Sequence, residues 1–139
     1  MWFQIQLQLQ AKPRGFHLVT REIVSQLPEL EQLDIGLAHI FLQHTSAALA
    51  INENADADVR RDLESYFSKC VPENEAYFRH TLEGPDDMPA HIKTVILGNS
   101  LSIPIRNGQL ALGIWQGIYL CEHRNHASKR SLIVTLNGK

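Results

Sequence analysis

Residues 101–110 read LSIPIRNGQL and place the dipeptide Asn107-Gly108 between two runs in which apolar and polar residues alternate. An Asn-Gly pair in this position favours a two-residue turn with positive φ at both residues, and such turns join adjacent antiparallel strands. The stretch therefore predicts a β-hairpin with strands over 101–105 and 109–115.

The same period of two marks the N-terminal segment 3–10, where Phe, Ile and Leu alternate with four glutamines. This pattern predicts a half-buried strand with one solvated face. Shorter apolar runs of strand length indicate four more strands. They lie at 37–44, 47–51, 118–122 and 131–136.

Helical spacing of apolar residues predicts helices over 16–30 and 59–70, and Pro89 and Gly98 bracket a third helix over 90–97. Residues 72–87 are polar and irregular, and a long loop inside a small domain is often functional. The order of these elements predicts an α+β fold. We expect a single domain over 1–139 in which a largely antiparallel β-sheet packs against a few helices.

Composition narrows the class of protein. The chain has 139 residues and a formal net charge of −2, which argues against a generally basic nucleic-acid binder. The absence of an 18-residue apolar run and of a signal-peptide pattern argues against a membrane location. The two cysteines form no CxxC pair, so a reduced, cytoplasmic protein is expected.

Three of the seven histidines lie in polar clusters at the ends of predicted elements: His44, His91 and His123. Three neutral imidazoles from separate segments are able to form a zinc-type site with an open fourth position, and they are also candidate catalytic groups. Glu53, after a predicted strand, is a candidate general base or a partner that orients an imidazole. The alternatives are hydrogen-bonded structural histidines and a turn at Glu53.

Other polar residues near these histidines suit an anionic ligand. Thr45 and Ser46 adjoin His44 and are candidates for hydrogen bonds to a phosphate or carboxylate, whereas serine catalysis is disfavoured because no nucleophile elbow is present. Arg124 is a candidate phosphate clamp. Asp86 and Asp87 either bind a hard cation or cap the following helix.

Trp115 and Gln116 lie between two glycines, in a position that suits stacking on a planar ring with the amide reading its edge. A core tryptophan at a bulge is the alternative. Cys121 is either a thiolate beside His123 or a packed thiol.

These motifs, in this order, resemble the YjbQ-like family of small bacterial and archaeal proteins, also described as secondary thiamine-phosphate synthases. The resemblance spans nearly the whole chain. The matching stretches are Gly15–His17, His44–Ala47, Asn52–Asn54, Asp86–Lys93, Gly113–Ile118 and Glu122–Arg124.

The resemblance implies an α+β fold that assembles as a homotrimer, with a weak, secondary thiamine-phosphate synthase activity. That reaction joins a hydroxymethylpyrimidine diphosphate to a thiazole phosphate and expels pyrophosphate, so a phosphorylated small molecule is the expected partner. The expected cofactor is a divalent metal ion, either zinc or a similar ion at the histidines or magnesium with the diphosphate. Two alternatives remain: a metal-dependent hydrolase of a phosphorylated metabolite, and a non-catalytic trimer that binds a metal or an anionic metabolite.

Overall fold

The computed structural model describes residues 1–139 as two antiparallel sheets and a few short helices. The strands are β1 (Trp2–Leu9), β2 (Gly15–Leu18), β3 (Ile35–Leu42), β4 (Ala47–Glu53), β5 (Ser100–Arg106), β6 (Gln109–Leu110), β7 (Gln116–Glu122) and β8 (Arg130–Gly138). The helices are α1 (Thr20–Val24), α2 (Ala57–Cys70) and α3 (Asp87–Leu97), with a 3-10 helix at Pro28–Gln32.

The predicted hairpin is confirmed. Asn107 and Gly108 have φ values of 53° and 76°, and Ile105 pairs with Leu110 across the turn. Strand β6 is only two residues long, shorter than the predicted 109–115. This hairpin forms the edge of a five-stranded sheet in the order β1-β8-β3-β5-β6.

The α+β class is confirmed, but the strands form two sheets where the sequence predicted one. The second sheet has the order β2-β7-β4. The main cluster of 19 buried apolar residues includes Ile40 and Val134 from the first sheet and Leu49 and Leu120 from the second. The two sheets therefore share one core, which is where most of the hydrophobic stabilisation arises.

The predicted helix 16–30 is wrong over most of its length. Residues 15–18 instead form β2, which pairs with β7, and α1 covers only Thr20–Val24. The helically spaced residues of this segment are nevertheless all in the core. Pairing with β7 overrides the local helical pattern in residues 15–18 because it satisfies their backbone hydrogen-bonding groups.

Helices α2 and α3 cover the other face of the three-stranded sheet. Phe16, Ala48, Tyr119 and Cys121 form a second buried cluster there, against which side chains of both helices pack. Cys70, the last residue of α2, is exposed. No helix combines the length and apolarity needed to cross a bilayer.

Candidate functional site

The junction between the loop 71–86 and α3 brings together two histidines and an aspartate. Asp87 begins α3, and His91 lies one turn later on the same face of the helix. Nε2 of His80 and Nε2 of His91 lie 2.6 and 3.0 Å from Oδ2 of Asp87. One ligand atom from each residue falls within 4.8 Å of the other two. We refer to these three residues as the His-Asp-His cluster.

Neighbouring groups hold the cluster in this orientation. Nδ1 of His91 lies 2.9 Å from the carbonyl oxygen of Thr45, so both ring nitrogens of His91 face oxygen acceptors. Both contacts are satisfied by a doubly protonated ring, or by a neutral ring in which a metal ion takes the place of one proton. Thr45 thus contributes its backbone carbonyl here, and the contact of its hydroxyl with a ligand stays a prediction.

The Asp87 carboxylate is almost completely buried, with 2% of its side chain exposed. Burial alone raises the pKa of this carboxyl, but the hydrogen bond from His80 and the charges of Arg124 and His91 outweigh burial and hold the pKa below its usual range. Asp87 is therefore ionised near neutral pH and is available as a metal ligand.

Arg124 does not have the free guanidinium expected of a phosphate clamp. Its Nε donates to Oδ2 of Asp86 (2.8 Å), its Nη1 to Oδ1 of Asp87 (2.6 Å) and its Nη2 to the carbonyl of Glu83 (2.9 Å). The structure thus places Arg124 behind the His-Asp-His cluster, where it neutralises two buried carboxylates and leaves Oδ2 of Asp87 facing the histidines.

The donor set of the cluster fits a divalent transition metal, since imidazole nitrogens and a carboxylate oxygen are common zinc ligands. It differs from the predicted triad. Only His91 is shared, because the ligand atoms of His44 and His123 are not part of the cluster. The sequence analysis did not identify His80 as a ligand. It lies in the irregular loop 72–87, and the length of that loop was the only signal that the region is functional.

His44 lies close by, but its Nε2 is already engaged. The backbone N–H of Ser131 donates to this nitrogen (2.8 Å), which leaves the ring proton on Nδ1. Burial and the positive charge of Arg130 lower the pKa of His44, so the ring is neutral at physiological pH. His44 is a hydrogen-bond donor next to the cluster.

Two open cavities border the cluster. One, of about 350 Å³, is lined by His44, Thr45 and His91 together with the C-terminal half of α3. The other, of about 420 Å³, is lined by His80, Pro85 and Met88 and by the loop 74–84. A small molecule therefore has access to the His-Asp-His cluster from two sides.

Glu122 and Arg130 form a buried ion pair beside this region, and Ser46 contacts Arg130. Glu122 accepts hydrogen bonds from Nε and Nη2 of Arg130, and Oγ of Ser46 accepts a further bond from the same Nη2 (3.1 Å). The oxygen of the Ser46 hydroxyl thus accepts from Arg130, and the contact of Ser46 with a ligand stays a prediction.

His123 is buried, with 1% of its surface exposed, and neither ring nitrogen has a hydrogen-bond partner. Burial and the charges of Lys93, Arg14 and Arg130 lower the pKa of His123 to about 3. His123 is therefore neutral in the folded protein over the whole physiological range.

This burial makes stability depend on pH. The ordinary pKa of histidine is about 6.5, so between pH 6.5 and 3 the unfolded chain binds a proton that the folded chain does not. The free energy of unfolding therefore decreases as the pH is lowered. His123 alone lowers it by about 2 kcal/mol between pH 7 and pH 5. We expect His123→Phe to remove that part of the slope in urea denaturation at the two pH values. An equal slope in both proteins would contradict the assignment.

The remaining predicted residues make local contacts. The Glu53 carboxylate accepts the backbone N–H of Asp56 (3.0 Å) and so closes the turn before α2. Oε1 of Gln116 accepts the N–H of Gly113 (2.7 Å), and Trp115 is exposed, not in the core. Cys121 is a packed thiol in the core, and its burial raises the pKa of the thiol.

The fold and the site together define a small α+β protein of two antiparallel sheets with a His-Asp-His cluster at a loop–helix junction. The family model described as "UPF0047 protein YjbQ-like" matches residues 4–139. The chain belongs to this family.

Relatives and solved structures agree with this assignment. UPF0047 protein YjbQ of Escherichia coli O157:H7 is 52% identical over 139 residues, which is 100% of both chains. UPF0047 protein YugU of Bacillus subtilis is 41% identical and covers 75% of this chain and 76% of its own. A crystal structure of a YjbQ/UPF0047 protein from Clostridium acetobutylicum matches with a TM-score of 0.83 and 35% identity, covering 96% of this chain and 99% of that one.

Proposed function

We propose that this protein is a metal-dependent enzyme that acts on phosphorylated small molecules and holds its metal at His80, Asp87 and His91. The convergence of three ligand atoms on one point, with the carboxylate buried and ionised, carries the proposal. The bordering cavities supply room for a small substrate.

Zinc or a similar divalent ion suits these donors, and when bound it would neutralise a leaving diphosphate or polarise a phosphate oxygen. The chain's own residues orient the site. Arg124 holds Oδ1 of Asp87, and the Thr45 carbonyl fixes the ring of His91. The Nδ1–H of His44 is available to donate to a substrate oxygen in the shared cavity.

The reaction that we propose to measure is thiamine-phosphate synthesis as a weak, secondary activity. The thiazole nitrogen forms a bond to the methylene carbon of the pyrimidine, and the bond from that carbon to the diphosphate breaks with release of pyrophosphate. The resemblance to this family supports the reaction, and the metal site supports stabilisation of the leaving group.

Replacing His91 with alanine is expected to reduce this activity at least about 100-fold, because the variant loses a ligand and the hydrogen bond that orients the site. The assay measures the coupled thiamine phosphate. His126→Ala is the matched control, since His126 is exposed and lies outside the cluster. Equal activity in the two variants would contradict the proposed site.

A hydrolase is the second candidate, favoured by the openness of the cluster to water on two sides. Release of inorganic phosphate or pyrophosphate without a coupled product would identify it. A rise in melting temperature with a metabolite, without any turnover, would instead identify the non-catalytic binding protein of our third hypothesis.

We further propose that the protein forms a homotrimer through the outer face of the five-stranded sheet. Ile35, Leu37 and Phe41 project from this face of β3 and are exposed, and apolar surface of this kind is typical of interfaces. Leu37→Lys is expected to shift the assembly to monomers in sedimentation velocity. Ser65→Lys, at an exposed position of α2 outside this sheet, is the control, and an unchanged assembly in Leu37→Lys would exclude this face.

Composition and cysteine usage support the partner and the compartment that we propose. The net charge of −2 argues against a nucleic-acid partner, and the partner that we propose is a small phosphorylated substrate, with no membrane. Cys70 and Cys121 are both free thiols, which supports a cytoplasmic location.

A further inference from the structure

Strand β1 gives the five-stranded sheet a long edge that carries none of the usual protections against pairing with another strand. It has eight residues, and none of them is charged or a proline. The other edge strands are short or covered. Strands β6 and β2 have two and four residues, and the end of α3 covers the edge of β4, where the Gly98 carbonyl accepts the N–H of Leu49 (3.1 Å). Exposed edges without charge or proline are the ones that add a further strand.

The hydrogen bonds between β1 and β8 show which backbone groups of β1 face outward. Met1 and Gly138 are a hydrogen-bonded pair, since the Gly138 N–H donates to the Met1 carbonyl (3.1 Å). Along an antiparallel ladder, such pairs alternate with pairs that exchange no hydrogen bond. The even-numbered residues of β1 therefore direct their N–H and C=O groups away from β8.

Helix α1 covers one end of this edge. Nε2 of Gln26 donates to the carbonyl of Gln8 (3.1 Å), and Oε2 of Glu22 accepts the N–H of Gln10 (2.7 Å). Both contacts agree with the outward direction of the even-numbered residues. The other three even-numbered residues have outward groups without a hydrogen-bond partner in the chain, and we refer to them as the open edge: Trp2, Gln4 and Gln6.

The core is also less covered at the open edge. Phe3 and Ile5 lie between its residues and are only partly buried, whereas Leu7 and Leu9, toward the end that α1 covers, are buried. A further strand beside β1 would pair the outward backbone groups and remove more of Phe3 and Ile5 from water. The open edge is therefore a surface suited to an extended strand.

We propose that the open edge pairs with the open edge of a second copy of this chain, antiparallel and about a two-fold axis at Gln4. In this register Gln4 faces Gln4 of the second copy, and Trp2 faces Gln6. Each facing pair exchanges two backbone hydrogen bonds, so every outward group of the open edge gains a partner. Because β1 carries no charge, no like charges meet across the axis, and the contact is self-complementary.

This contact is separate from the outer face of the sheet through which we propose that the trimer forms. It joins two copies edge to edge and so doubles the assembly, whether the unit is a trimer or a monomer. A backbone hydrogen bond contributes little net free energy in water, and only three residues pair on each side. The doubling is therefore expected at high protein concentration, and in dilute solution the undoubled unit is expected.

Sedimentation velocity of the full chain over a range of concentrations measures the doubling. The wild type is expected to pass from its dilute unit to a particle of about twice that mass. Gln4→Lys and Gln4→Glu are each expected to prevent this change, because the axis places like charges directly opposite each other. An equal mixture of the two variants should double again, since lysine then faces glutamate. Gln32→Lys, at an exposed position of the 3-10 helix, is the matched control and should double like the wild type.

Amide hydrogen exchange of the wild type provides a second measurement that needs no substitution. The amides of Gln4 and Gln6 are expected to become protected as the protein concentration rises, because each gains an acceptor on the second copy. The amide of Gln8 also faces outward but lies outside the paired residues. It serves as the internal control and is expected to keep its exchange rate.

Three results would overturn the proposal. The first is an undoubled wild type whose Gln4 and Gln6 amides stay unprotected at the highest concentration, which would leave the open edge to a strand of another protein. The second is a doubling that Gln4→Lys and Gln4→Glu each retain in full, which would place the contact elsewhere. The third is a mixture of these two variants that does not double, which would exclude the pairing of Gln4 with itself.

Discussion

Replacing Glu122 with glutamine is expected to lower the free energy of unfolding by about 3–5 kcal/mol. Glu122 is 0% exposed, and its two oxygens accept Nε and Nη2 of Arg130. The substitution leaves the Arg130 guanidinium buried without its counter-charge, and the desolvation of that group is no longer offset. Urea denaturation at pH 7 measures the loss.

Two controls separate this buried pair from ordinary surface charge. Arg61→Gln breaks the exposed ion pair with Asp58 and is expected to cost no more than about 1 kcal/mol. The double variant Glu122→Leu with Arg130→Met is expected to recover much of the lost stability, because it removes both charges together. A loss in Glu122→Gln no larger than that of Arg61→Gln would show that the pair is not buried as described.

Replacing Asp87 with asparagine is expected to weaken zinc binding by more than about 100-fold. Loss of an outer partner of a metal ligand typically costs about 10–100-fold, and Asp87 supplies the only carboxylate oxygen of the cluster. Asparagine keeps the size of the side chain, so the change isolates the charge. Calorimetric titration of the metal-free protein with zinc measures the affinity.

The neighbouring aspartate provides the matched control for this change. Asp86 also binds Arg124 but offers no atom to the cluster, so Asp86→Asn should weaken zinc binding far less than Asp87→Asn. Asp62→Asn, on the exposed side of α2, should leave it unchanged. Equal affinities in all three variants would exclude Asp87 as a ligand.

Local patterns predicted the parts of the fold in which local and tertiary preferences agree. The alternation in residues 3–10 predicted β1, and Asn107-Gly108 predicted the turn of the hairpin, because both signals depend on backbone geometry within a few residues. The segment 16–30 shows the opposite case. Its apolar spacing correctly predicted which side chains are buried, but pairing with β7 determined the backbone of residues 15–18.

The candidate site was predicted less completely, and the reason is distance along the chain. His91 and Asp87 are four residues apart and share a helix face, so their proximity follows from the helix itself. His80 reaches them through an irregular loop that carries no periodic signal. Arg124, 37 residues after Asp87, joins them only because β7 ends beside the start of α3.

The sequence by itself determined the α+β class, the antiparallel pairing and the chemical types of residue available for a site, since these depend on composition and on periods of two and 3.6. Only the tertiary structure decided which of the histidines converge. It placed His80 and His91 on one carboxylate and engaged His44 with the backbone of Ser131. It buried His123 with neither ring nitrogen hydrogen-bonded. Such differences arise from burial and from contacts between distant segments, which no local pattern encodes.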